Sequence, residues 1–413
     1  MVAIFITFGT VALLVYLYAS LRERSYINAL SPFFAFYFAT SFVFEPVFFA
    51  TVTNYQYDVQ AFAFIYTCDL ANFLGLAFAY MAVIGGGQTA NGGHPLAAPR
   101  SDLGWLAWLF LFGSALIFLP VALQFREYVF DNPRALYEQT RSGFGQYLFV
   151  SALLLNLAVI CFLFSSRRAS LLFIPCVVLL ALVKGAKTSA VVIVEIYAMW
   201  AIYARGWRVG VGKFLASVTV FAAIIGGLFL FTFRGVDSTN LFGAITGYSD
   251  YNRHAALTVS DPVGPYYGAL ALENFVYARV PRALFPDKPK DFGAFYLAKR
   301  YFPEAFVLDA GAPAFGAGVY IADFGMLTPL IMLILGLFSG YLLGLCIQWL
   351  RRGGGIAAFI TMLYLANVSL LPIPMGFLGI EHWMLGLLVA KMARLRLGFW
   401  IFRPYARSEP TEN

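Results

Sequence analysis

Charge is scarce in this sequence. Asp, Glu, Lys and Arg make up 12% of its 413 residues, whereas a soluble domain carries roughly a quarter, so the chain cannot cover a globular surface with solvated side chains. Histidine is nearly absent, with three copies, and there are four cysteines. Cys68, Cys161, Cys176 and Cys346 sit inside apolar runs, with neither a CxxC pair nor a histidine at ligand spacing. That argues against a zinc module or a disulfide framework and for core thiols; no metal and no cofactor is expected. A polar tract long enough for a soluble catalytic domain is also missing, because the longest polar interval, 234–317, is itself rich in aromatics. No internal repeat and no inverted two-half symmetry of the transporter kind stands out. Disorder is excluded as well, since 18% aromatic content with so little charge leaves no means of keeping the chain solvated.

What is abundant is apolar length. Hydrophobic residues make up 61% of the chain and the mean hydropathy is +0.76. Runs of the length that crosses a membrane as a helix fall near 2–20, 30–50, 60–84, 104–124, 146–165, 169–183, 188–204, 214–233, 318–346, 356–376 and 383–400. The expectation is an all-α polytopic integral membrane protein with about eleven transmembrane helices. It forms a single membrane domain over 1–413, with a loop at 125–145 and a large folded loop at 234–317 between the eighth and ninth helices. The first run lacks a basic leader and a small-residue cleavage site, so it reads as a retained span.

The formal charge of +7 does not gather into a stripe, which argues against a nucleic-acid partner. The bases report topology instead. With the N-terminus outside, Arg22, Arg24, Arg100, Arg167, Arg168, Arg205, Arg208, Lys213, Arg351, Arg352 and the basic tail all fall on the cytoplasmic side, as the positive-inside rule requires. Arg126, Arg134 and Arg141 before the fifth span, and Lys184 and Lys187 in the tight turn KGAKTS, face the other way. Either external loops tolerate stray bases, or these cations bind an anion outside. The 234–317 loop interleaves Arg, Lys, Tyr, Phe, Asp, Pro and Gly, unlike a simple polar linker. Aromatic rings beside Asp and Asn suit sugar faces and hydroxyls, and Arg and Lys suit phosphate, so an anionic glycolipid is the expected ligand class.

Many spans, one large late external loop, VPRALFPDKP at 280–289 and GAPAFGAGVYIADFG at 311–325 leading into the next span resemble the bacterial oligosaccharide repeat-unit polymerases, the Wzy-type O-antigen and exopolysaccharide polymerases. The KGAKTS turn is similar to the Gly-Ser-Arg type turn of that family, with Lys187 where arginine is usual. Arg253 to Gly264 and Arg300 to Gly311 match its loose arrangement of an arginine and a glycine with ten residues between them. The resemblance covers nearly the whole chain in topology and only short stretches in motif. It implies a metal-independent glycosyltransferase of the bacterial inner membrane with a periplasm-facing site, a periplasmic N-terminus and a cytoplasmic C-terminus. The reaction it implies is transfer of a growing glycan from undecaprenyl pyrophosphate to the non-reducing end of another lipid-linked unit. A chain-length regulator of the Wzz kind is the implied protein partner, beside membrane lipid.

The residues suited to that chemistry follow. Lys184 and Lys187 precede a helix, whose dipole would reinforce pyrophosphate binding, and Arg234 ends the eighth span at the same depth. Arg279, Arg282 and Lys288 flank a proline-rigid bend, Arg141 lies beside Gly143 and Gly145, and Arg300 starts the second arginine-glycine pair. All eight are expected to bind substrate; snorkelling or internal ion pairs are the alternatives. His254 is the expected general base, with Asp250 orienting it and Arg253 beside it; a surface hydrogen-bonder is the bland alternative. Glu45, Asp69 and Glu195 fall in spans, where they mark function or paired structural contacts. A lipid-linked oligosaccharide flippase would show symmetry and short outer loops. An O-antigen ligase would carry a His-x-His-Asn-like stretch before the late span, which is missing here. Another polyprenyl-phosphate glycosyltransferase would place acids in its first outer loop, and only Asp58 lies there.

Overall fold

A computed structural model describes residues 2–52, 58–85, 103–131, 136, 144–165, 172–185, 187–232, 247–277, 280, 285–304, 314–367 and 380–394; among them no strand occurs and the fold is helical throughout. In chain order the helices are α1 (Val2–Glu23), α2 (Ser31–Thr51), α3 (Val59–Gly85), α4 (Gly104–Gln124), α5 (Gly145–Leu163), α6 (Phe173–Val183), α7 (Lys187–Tyr203) and α8 (Val211–Thr232). The long interval contributes α9 (Asp250–Ser260), α10 (Ala269–Tyr277) and α11 (Ala294–Tyr301), followed by α12 (Gly318–Phe324), α13 (Thr328–Arg351), α14 (Gly355–Asn367) and α15 (Ile380–Arg394). Among the described residues, α1 to α5 and the continuous run Gly318–Arg351 are six helices long and apolar enough to cross a membrane. Prolines sit in the first turns of α2 and α13, where a missing N–H costs nothing.

Many large apolar side chains are exposed on the outside of the bundle and several polar ones are buried between helices, as suits a membrane-embedded bundle. Ile6, Leu14, Phe78, Phe112, Leu119 and Phe338 are exposed, while Asn72, Ser114, Ser151 and Ser339 are buried between helices. Cys68, Cys161 and Cys346 are buried as expected of core thiols, but Cys176 is exposed, because its face of α6 turns away from the bundle. The closest helix pair is α3 with α13. A Cβ on Gly336 would lie 2.1 Å from the Asn72 carbonyl oxygen, and one on Gly340 2.1 Å from that of Leu76. Only glycine permits this backbone contact, and Asn72 Nδ2 donates across it to the Met332 carbonyl at 3.0 Å. The α4–α5 pair is joined by reciprocal bonds, Ser114 Oγ to the Ser151 carbonyl at 2.6 Å and Ser151 Oγ to the Ser114 carbonyl at 2.7 Å.

One end of the bundle is tied at Glu23, which accepts from the hydroxyls of Tyr80 and Tyr203 and pairs with Arg351 at 3.8 Å. The C-terminal ends of α1, α3, α7 and α13 therefore meet there. At the other end, α9 and α12 pack on the first turns of α3 through Phe62, Ile65, Tyr66, Ala255, Ala256 and Ile321. The long interval is thus seated on the bundle by its own apolar face.

Candidate active site

The site forms where α9 meets α2. In the middle of α2 the helix widens to a π-helical turn over Thr40–Phe44, closed by the Glu45 N–H donating to the Thr40 carbonyl. Residues five apart lie about 140° apart around an α-helix; the wider turn swings Thr40 toward the face that carries Ser41 and Glu45. Turns of this kind gather at functional positions. The first turn of α9 is laid against that face residue by residue. The Tyr251 hydroxyl donates to Thr40 Oγ1 and Asn252 Nδ2 to Ser41 Oγ at 3.2 Å. Arg253 Nη1 donates to Glu45 Oε1 at 3.3 Å and to Ser249 Oγ at 3.1 Å, and its Nη2 pairs with Asp250. The guanidinium also lies 3.6 Å over the Phe48 ring.

Glu45 is fully buried and Arg253 is 7% exposed. An ion pair so placed need not stabilise the fold relative to apolar residues, but removing one partner strands the other charge, at a cost of about 3–5 kcal/mol. The loop geometry is matched to this docking. Gly264, at φ +102°, turns the chain back so that Tyr266 N–H and Tyr267 N–H reach the carbonyls of Ala322 and Asp323 at 3.3 and 2.8 Å. A Cβ there would lie 2.3 Å from the Ala322 oxygen. The Arg253-to-Gly264 spacing thus joins the docked first turn of α9 to the turn that leads back along α12.

His254, the next residue, faces the other way. Its Nδ1 lies 2.9 Å from the Ala314 carbonyl oxygen; a carbonyl only accepts, so Nδ1 carries the proton and Nε2 is left as the basic atom. Nε2 has no hydrogen-bond partner among the described residues. The ring is edged by Phe302 at 4.9 Å and Phe315 at 5.7 Å. Burial, reinforced by the field of Arg253 and opposed by the Ala314 carbonyl, holds the imidazole below its ordinary pKa, so it is neutral at neutral pH. The sequence reading gave the orienting role to Asp250. That is corrected: the Asp250 carboxylate is taken by Arg253, three residues on along one helical face, and a backbone carbonyl does the orienting.

Three of the eight expected substrate cations, Lys184, Lys288 and Arg300, have described side chains. Lys184 does not face outward; it is fully buried, with Nζ on Ser114 Oγ at 3.0 Å, because the last turn of α6 lies against α4. Lys288 Nζ donates to the Val280 carbonyl at 3.1 Å and sits 4.9 Å over the Phe292 ring, within its own bend. Arg300 pairs with Asp261 at 3.3 Å on an exposed surface. Lys187 is the first residue of α7, its side chain lying outside the described residues, as do Arg141, Arg234, Arg279 and Arg282 altogether. Ser114, the Val280 carbonyl and Asp261 are thus partners of Lys184, Lys288 and Arg300 in turn. The pairing of Glu45 with Arg253 is not expected from the sequence, because nothing local links positions 208 residues apart.

No family model matches the chain, and no solved structure matches it. Two curated relatives do, each described as "O-antigen polymerase", one from Salmonella typhimurium (strain LT2) and one from Salmonella typhi. Each is 34% identical over 386 residues, covering 91% of this chain and 92% of the relative. Identity at that level over nearly the full length of both chains leaves no large part of the helical framework unmatched, and this chain belongs to the O-antigen polymerase family.

Proposed function

We propose that this protein polymerises lipid-linked oligosaccharide repeat units. It transfers the growing glycan from its undecaprenyl pyrophosphate to a hydroxyl at the non-reducing end of another lipid-linked unit. The observation that carries this reading is the near-complete match to proteins described as O-antigen polymerases. In the step, the acceptor oxygen forms the new glycosidic bond at the anomeric carbon, and the bond from that carbon to the pyrophosphate oxygen breaks. Its electron pair leaves with the lipid pyrophosphate, and the hydroxyl proton passes to a base. His254 Nε2 is that base: fixed by the Ala314 carbonyl, walled by aromatic rings that suit a sugar face, and kept neutral by burial. Positioned proton transfer of this kind is worth roughly 10²–10⁴ in rate.

The departing diphosphate needs cations. Lys187, Arg141, Arg234, Arg279 and Arg282 are the proposed contacts, with Arg300 and Lys288 at the loop surface; Lys184, sealed against Ser114, is not proposed again. The site faces the periplasm of the inner membrane. The meeting of the C-terminal ends of α1, α3, α7 and α13 at Glu23 supports this, because it gathers Arg22, Arg24, Arg205, Arg208, Arg351 and Arg352 at the end away from α9, on the cytoplasmic side by the positive-inside rule. The N-terminus is then periplasmic and the C-terminus cytoplasmic, and a Wzz-type chain-length regulator is a proposed partner.

Purified protein in proteoliposomes, given lipid-linked repeat units alone, is expected to produce a ladder of longer lipid-linked glycans. His254→Ala is expected to slow it about 100-fold while leaving the protein folded. Units that cross the bilayer without lengthening would contradict the proposal.

A further inference from the structure

Glu45 occupies an expensive position. It is fully buried, its Oε1 meets Arg253 at 3.3 Å, and its Oε2 has no hydrogen-bond partner among the described residues. Neutral bonds already dock α9 on α2, from Tyr251 to Thr40 and from Asn252 to Ser41. Docking alone would be served as well or better by an apolar pair in place of the charges. What the charge pair adds is aim. Successive helical residues lie about 100° apart, so a guanidinium held by Glu45, Asp250 and Ser249 on one side and by the Phe48 ring on another fixes the rotation of the turn. The bearing of the next residue, His254, is fixed with it.

We propose that Glu45 is a positioning residue for glycan transfer: acting through Arg253, it sets the first turn of α9 so that His254 keeps Nδ1 on the Ala314 carbonyl and Nε2 open to the acceptor hydroxyl. This rests on the reading of His254 given above. Glu45 has a second influence on the same imidazole. Burial is the main cause that lowers the His254 pKa and the field of Arg253 adds to it, and Glu45 and Asp250 partly neutralise that guanidinium. Other titratable groups near α9 on the elements packed against it are Tyr37 on α2, Tyr66, Cys68 and Asp69 on α3 and Tyr320 and Asp323 on α12; Asp323 is engaged by the N–H groups of Leu270 and Ala271.

The test is a double-mutant cycle in proteoliposomes, with kcat, KM for the lipid-linked unit and the pH profile measured for wild type, Glu45→Gln, His254→Ala and the pair. Glu45→Gln is expected to lower kcat about 10- to 100-fold, the scale of a small misplacement of a reacting group, with KM within about twofold. Its acidic limb is expected to move to lower pH, since less compensation of Arg253 makes His254 harder to protonate. On the His254→Ala background, Glu45→Gln is expected to cost less than about twofold, because its effect runs through a group already gone. An equal loss on both backgrounds, or a Glu45→Gln enzyme with the wild-type rate and pH profile, would overturn the proposal. If Glu45→Gln does not accumulate, Glu45→Asp replaces it in the cycle. It retains the carboxylate one methylene short, so a milder kcat loss confined to the His254 background is expected, and equal losses on both backgrounds would again be fatal. A wild-type enzyme that makes no ladder would instead remove the function on which this rests.

Discussion

Arg253 and His254 are neighbours in sequence with opposite surroundings. One is locked into α2 by Glu45, Asp250 and a phenylalanine face, while the other keeps one nitrogen on a carbonyl and one unused. Their adjacency was readable from the sequence, as was the suitability of a lone loop histidine for proton transfer. The partnership with Glu45 was not, because it joins residues 208 positions apart, and a local pattern carries no trace of that pairing. Lys184 failed for the converse reason: the turn KGAKTS looks exposed in sequence, yet the packing of α6 on α4 closes over it. That burial has a measurable consequence: an amine sealed between helices on the Ser114 hydroxyl carries a desolvation cost, so Lys184→Met is expected to unfold in detergent at a midpoint no lower than wild type, and a lowered midpoint would contradict the burial described.

At the scale of helices, apolar runs of the sequence coincide with helices of the structure, six of them, among the described residues, long and apolar enough to cross a membrane, because hydrophobic length is a local property. Irregularity within a helix is not local in that way. The π-helical turn at Thr40–Phe44 is stabilised by what α9 brings to it, so nothing in that stretch of α2 announces it. The four-residue spacing of Gly336, Gly340 and Gly344 was in the sequence, but its meaning needs the opposing helix: Asn72 and Leu76 present backbone, which cannot move aside, whereas Val83 presents a side chain. Gly340→Leu is accordingly expected to destabilise the α3–α13 pair by more than the 1–3 kcal/mol typical of overpacking, seen as loss of folded protein on size-exclusion chromatography. Gly212→Leu, with nothing within 4 Å of its Cβ position, is expected to fold as wild type. Equal yields of the two variants would contradict the packing described.

At the scale of the molecule, the fold class and family were legible because composition and topology are global signals. The described part of the large late interval contains α9, α10 and α11. Its seating on the ends of α2 and α3 required the structure. The polarity of the bundle then carries the proposed chemistry: one end tied at Glu23 among basic loops, the other holding the α9 junction with His254. If the growing glycan is the donor, each bond discards the lipid on which that glycan stood. Proteoliposomes can be loaded with short preformed chains whose polyprenyl carrier alone is isotopically labelled, then supplied with unlabelled repeat units, and the label followed by thin-layer chromatography and mass spectrometry. The account predicts that the label leaves as free polyprenyl pyrophosphate during the first round of lengthening and that the extended glycans stand on unlabelled lipid. Labelled carrier that stays attached while the glycan above it grows would contradict it.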